Sequence, residues 1–139
     1  MIIAFMLAAC SESDSSVSTN ENSEINGSWH AFRSRTDGFD TTLVTFAQDK
    51  KVHTEFILCL TGHYYQTNIT DGSWYINGDT LIQTLYSYNE SRDSGKTWIA
   101  HTVTNPTSKR RFRHTGDSLY LLTDNADGTI SVFGLKRKD

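Results

Sequence analysis

The densest chemistry in the chain is Lys109-Arg-Arg-Phe-Arg-His114. Guanidinium groups offer paired N–H donors in the plane that a carboxylate or phosphate presents, so such a run can hold an anion. On a strand it splits into two faces. Lys109, Arg111 and Arg113 share one, and Arg110, Phe112 and His114 share the other. Arg33 and Arg35 have the same two-residue spacing on an earlier strand. The expectation is that Arg33, Arg35, Arg111 and Arg113 meet the anionic end of a ligand; the alternative is a solvated basic strand. The histidines His30, His53, His63, His101 and His114 show no zinc-ligand spacing with one another or with cysteine. There is no G-x-S-x-G elbow, no Cys–His signature and no phosphate loop. Asp124-Asn-Ala-Asp-Gly128 lacks the spacing and closing Glu of a calcium loop. These readings predict a binding protein without cofactor, not an enzyme.

A second stretch, Ser91-Arg-Asp-Ser-Gly-Lys-Thr-Trp98, has the pattern S-x-D-x-G-x-T-W. Ser91 and Asp93 can accept hydrogen bonds from the N–H groups of a tight corner. Gly95 supplies a positive φ, and Trp98 begins the return strand and packs over the turn. The pattern resembles the Asp-box of sialidases and other β-propeller proteins. A propeller needs about four blades of about 40–45 residues each, more than residues 26–139 can supply. No positions match a sialidase arginine cluster or tyrosine nucleophile. Asp93, Gly95 and Trp98 are therefore predicted to form a structural hairpin. A hydrolase related to Asp-box proteins ranks only as the third functional reading.

The chain starts with the apolar run Met1-Ile-Ile-Ala-Phe-Met-Leu-Ala-Ala-Cys10, too short to span a bilayer. Leu7-Ala8-Ala9-Cys10 resembles the lipobox of bacterial lipoproteins, in which the cysteine thiol takes the diacylglycerol. Residues 1–9 then read as the remnant of a signal peptide. No Lys or Arg precedes the apolar run, so the true translation start is expected upstream. Residues 10–25 read as a lipidated cysteine followed by a flexible Ser-rich, acidic tether that buries too little apolar surface to fold. Ser11 after the cysteine resembles the outer-membrane sorting pattern, which implies a membrane contact through the lipid anchor. Cys59, in Phe56-Ile-Leu-Cys-Leu60, is then without a disulfide partner and reads as a buried, inert thiol.

The elements that must position these groups are strands. The chain has 139 residues, 37% hydrophobic and 21% charged, with a net charge of −3. That suits one domain and gives no reason to expect nucleic acid. Turn signals recur every eight to twelve residues: Thr36-Asp-Gly38, Gln48-Asp-Lys50, Thr61-Gly62, Thr70-Asp-Gly72, Asn77-Gly78, Asn105-Pro-Thr-Ser108, Thr115-Gly-Asp117 and Asp124–Gly128. They predict eight to ten antiparallel strands. Tyr64–Ile69 and Ser73–Ile76 are either two strands or one bulged strand. Val52, Thr54, Phe56, Leu58 and Leu60 alternate against His53, Glu55, Ile57 and Cys59, and Leu119 and Leu121 against Tyr120 and Leu122. A closed barrel and a two-sheet sandwich both satisfy this pattern.

The ends of the domain favour the barrel. Residues 26–139 open with Gly27-Ser-Trp29 and close with Phe133-Gly-Leu-Lys-Arg137. This resembles the lipocalin-like (calycin) proteins, where a G-x-W starts the first strand and a basic residue on the last strand covers the Trp ring. "GSWYINGDTL" at 72–81 and "TGDSLYLL" at 115–122 are similar in style to small bacterial lipoproteins of that kind. The resemblance implies an up-and-down antiparallel β-barrel, with Trp29 plugging one end and Arg137 or Lys136 over it. It also implies that His101 or His114 could serve a heme, against the plainer role of a surface or hydrogen-bonded histidine. The function expected is binding of a small amphipathic or apolar ligand by a lipid-anchored envelope protein, at the outer membrane facing the periplasm or cell surface. The alternative is a structural or protein-interaction module whose barrel is filled by its own side chains.

Overall fold

The computed structural model describes residues 25–62 and 64–138. Cys10, the apolar start, the Ser-rich segment before residue 25, and His63 lie outside the described residues. β-Branched and aromatic runs between turn residues form the strands β1 (Gly27–Arg35), β2 (Gly38–Phe46), β3 (Lys51–Leu60), β4 (Tyr64–Asn77), β5 (Thr80–Ser91), β6 (Ile99–His101), β7 (Thr107–Thr115), β8 (Ser118–Asp124) and β9 (Ile130–Arg137). Every pairing is antiparallel. Eight strands close on themselves in the order β1-β2-β3-β4-β5-β7-β8-β9, and β6 adds a ninth beside the far half of β5. The architecture is an up-and-down barrel, compatible with a lipocalin-like one, and closure excludes the open sandwich.

The predicted turns hold at most places. Lys50 has φ 67° between β2 and β3, and Gly78 has φ 63° between β4 and β5. Thr70-Asp-Gly72 is the exception, because it lies inside β4, which is one continuous strand. The glycine there serves close approach instead of a turn. A Cβ on Gly72 would stand 2.1 Å from the Thr84 carbonyl oxygen. At this point Asp71 pairs with Ser87 but Gly72 pairs with Leu85, so Tyr86 is left over as a bulge. Tyr86 turns outward, while Leu85 and Tyr88 both keep their faces inward.

The two halves of the barrel are packed differently. At one end Trp29, Val44, Phe46, Val52, Trp74, Leu81, Leu119, Leu121 and Leu135 form the core, with Ile25 beneath them. Trp29 is fully buried. Its indole N–H donates to the Ile25 carbonyl at 2.8 Å. The Arg137 guanidinium lies 4.2 Å from the ring centroid and donates to the Asn26 carbonyl at 2.9 Å. The His114 ring meets the indole edge-on at 5.6 Å. A cation over an indole face and a satisfied N–H make this a stable plug for the end. The seam between β1 and β9 is two residue pairs long, Trp29 with Arg137 and His30 with Lys136. Beyond it, towards the other end, Phe32 and Val132 are exposed.

Candidate binding cavity

Cross-strand register carries inward faces from one strand to the next. Val44 belongs to the core, so its partner Thr54 also faces in. From Thr54 the row continues through Thr70, Tyr88 and His101. The row above it runs Thr42, Phe56, Asn68 and Glu90. From these rows Thr54, Phe56, Asn68, Thr70, Tyr88 and His101, together with Leu85 and the segment Thr102-Val103-Thr104, line an open cavity of about 530 Å³. That is the size of a small-molecule site, and its mixture of apolar and hydroxyl groups suits an amphipathic guest.

One wall of the open half is polar and tightly connected. Glu90 is 5% exposed although it is a carboxylate. Its partners explain how that is tolerated: Arg92 pairs with Oε1, and His101 Nε2 lies 3.4 Å from Oε2. The Tyr88 hydroxyl donates to Glu90 Oε2 at 3.5 Å, and the Tyr88 and His101 rings stack at 4.8 Å. Burial, and then the Glu90 charge, raise the Tyr88 pKa above its ordinary value. The Arg92 pKa is also raised, by its hydrogen bond to Glu90. On β4, Tyr64 donates to Gln66 and Gln66 donates to Asn68, at 2.6 and 3.0 Å.

Arg33 and Arg35 sit at the same open end, on the opposite wall. Both donate to one oxygen of Asp40, at 2.9 and 3.0 Å. Asp40 is 4% exposed, so a single carboxylate answers two guanidinium groups. Arg111 and Arg113 do not join them. Their register partners are Leu122 and Tyr120, on the outer face, and Arg111 binds Asp124 at 2.6 Å. The inward face of β7 is the other one. Arg110 pairs with Leu81, Phe112 with Leu121 and His114 with Leu119, and all three partners are core residues. Phe112 between the basic residues was the sequence signal for this choice, since an apolar residue marks the face that closure buries. Lys136 lies outside, with Asp117 and Ser118.

The Ser91–Trp98 stretch joins β5 to β6. Ser91 Oγ donates to Asp93 and accepts from the Gly95 N–H, both at 2.9 Å, and Asp93 accepts from the Thr97 N–H at 2.8 Å. Gly95 has φ 84° and lies under the Trp98 ring. Thr97 holds the Asp93 carboxyl at a pKa of about 2. These are bonds within a corner, made between the motif's own residues. Cys59 is half-buried, not core, because it sits on the outward parity of β3 between Phe39 and Tyr65. Tyr88, Glu90, Thr70 and Gln83 escaped the sequence reading, since their convergence depends on register across strands; Thr54 and Arg110 were assigned there to a strand face but to no site. Among the described residues no three His, Cys, Asp or Glu side chains converge as metal ligands. No protein-family model and no curated protein matches this chain.

Proposed function

We propose that this chain is a lipid-anchored lipoprotein of the bacterial cell envelope whose barrel binds a small amphipathic or apolar ligand. The observation that carries the reading is the cavity of about 530 Å³ in the open half, above a core that is already complete without it. A barrel filled by its own side chains, as an interaction module would have, leaves no such space. Tyr88, His101, Thr54 and Thr70 supply hydrogen bonds to a polar end, while Phe56, Leu85 and Val103 supply apolar contact. The anchor rests on Leu7-Ala-Ala-Cys10 and the Ser-rich segment after it.

Titration of the whole chain with an environment-sensitive fatty-acid probe tests the binding. Saturable one-to-one binding is expected, and Thr70→Trp should abolish it by filling the cavity while the protein stays folded. Absence of saturable binding by any amphiphile overturns the reading. Palmitate labelling in a bacterial host tests the anchor. The native gene should label and Cys10→Ser should not; equal labelling refutes it.

A further inference from the structure

The barrel has one incomplete seam. β9 pairs with β8 from Ile130 to Lys136, but with β1 only through Lys136 and Arg137. The direction of its other backbone groups follows from alternation. The Arg137 N–H donates to the carbonyl of Asp117, just before β8, at 2.7 Å, and the Lys138 N–H donates to that of Ser28 on β1 at 2.8 Å. Successive residues of a strand turn their N–H and C=O groups to opposite edges, so Gly134, Val132 and Ile130 turn theirs to the β1 side. Among the described residues no strand pairs with them there. Leu135 faces the core, so the same three residues face outward. Ile130 and Val132 are 51% and 60% exposed. Residues 130–134, Ile-Ser-Val-Phe-Gly, contain no charge and no proline, the devices that ordinarily guard a bare edge. The facing lip of β1 has such a guard in Arg33 and Arg35.

This edge is complementary to itself. Antiparallel pairing of two β9 strands about a two-fold axis at Val132 sets Val132 opposite its own copy. It sets Ile130 of each copy opposite Gly134 of the other. Every free N–H then meets a free C=O, because residues 130, 132 and 134 are evenly spaced about the axis. The side chains match as well. Tyr120 lies over Gly134, its ring 3.4 Å from where a Cβ would stand. Ile130 of the second copy therefore comes to the one position on this edge without a side chain, and packs on that ring. No like charges oppose each other at any position from 130 to 134. We propose that the β9 edge is the docking surface for a second copy of this chain, which joins it as a two-fold dimer by strand addition across Val132. The occupant is a second copy and not an unrelated strand, because the hydrogen-bonding phase and the alternation of large and absent side chains both repeat about one point. The dimer requires neither a ligand nor the lipid anchor.

Sedimentation velocity of the full chain carrying Cys10→Ser and Cys59→Ser, free of thiols and lipid, should show a monomer–dimer equilibrium. Val132→Pro deletes the edge-facing N–H at the axis and leaves the bonds to β8 in place, a position where strands tolerate proline. It should weaken dimerisation at least about tenfold. Val132→Lys should do the same by setting like charges opposite each other. Tyr75→Lys, at an exposed position of β4, should dimerise as its parent does. In the same background Val132→Cys should form a covalent dimer under mild oxidation, since identical residues at the axis stand about 5.5 Å apart; Ser34→Cys, on the β1 lip, should not. A dimer that survives Val132→Pro and Val132→Lys, or that Val132→Cys does not trap, overturns the assignment. A dissociation constant above about 1 mM overturns it too. Hydrogen exchange of that monomer then shows what the edge does instead. Protected Ile130, Val132 and Gly134 amides assign it to residues before 25 of the same chain, and fast exchange leaves it bare. Should Val132→Pro fail to fold, Val132→Lys and the cysteine cross-link decide.

Discussion

Replacement of Trp29 by alanine tests the closed end of the barrel most directly. The indole is fully buried, its N–H is bonded to Ile25, and Arg137 covers one face. Truncating a buried aromatic of this size costs about 3–5 kcal/mol, through lost transfer energy and the cavity left behind. The loss of the cation–π contact belongs within that range and contributes about 0.5–2 kcal/mol of it. Against a total stability of about 5–15 kcal/mol for a domain of ordinary size, the variant is left marginal. With a urea slope of about 2 kcal/mol per M, a loss of about 4 kcal/mol moves the midpoint down by about 2 M. Trp29→Phe keeps most of the ring but forfeits the bond to Ile25, so about 1–2 kcal/mol is expected there. Urea unfolding of the full chain, followed by circular dichroism, reads both. A Trp29→Ala midpoint within about 0.3 M of the wild type would refute the view that this ring plugs the barrel.

Three further outcomes follow from other parts of the fold. The Asp93 carboxyl is held at about 2 against an ordinary 3.8, so its contribution is complete above pH 3.8 and is lost as pH falls towards 2. The thermal midpoint should drop across that interval, and Asp93→Asn should flatten the drop; an equal slope in both proteins would show that other groups govern it. Gly72→Ala places a Cβ 2.1 Å from the Thr84 carbonyl oxygen. It should cost about 1–3 kcal/mol as β4 and β5 are forced apart, and chemical denaturation matching the wild type would contradict the bulge geometry. Arg111→Ala and Arg113→Ala, both on the outer face, should leave fatty-acid probe affinity unchanged; a fivefold or greater loss, read against about 1 kcal/mol, would bring that face into the site.

Local chemistry was legible in the sequence. The Ser91–Trp98 corner closes through hydrogen bonds among residues at most four apart, so its geometry follows from eight consecutive residues. The hairpin at Asn77-Gly78 and the alternation of Val52–Leu60 are local in the same sense; with the other turn signals they sufficed for the strand count, while barrel rather than sandwich rested on the resemblance carried by Gly27-Ser-Trp29 and Arg137. The pairing of faces was not local. Arg110 and Arg111 are neighbours with the same side chain, and only the partners Leu81 and Leu122 on other strands decide which one turns inward. Thr70-Asp-Gly72 had the composition of a turn, yet Gly72 stands in a strand because the β5 backbone passes too close for a Cβ. The cavity is the extreme case. Thr54, Thr70, Tyr88 and His101 are spread over 48 positions from residue 54 to residue 101. They meet only because strand pairing fixes register, and a one-residue slip would turn every one of them to the outside.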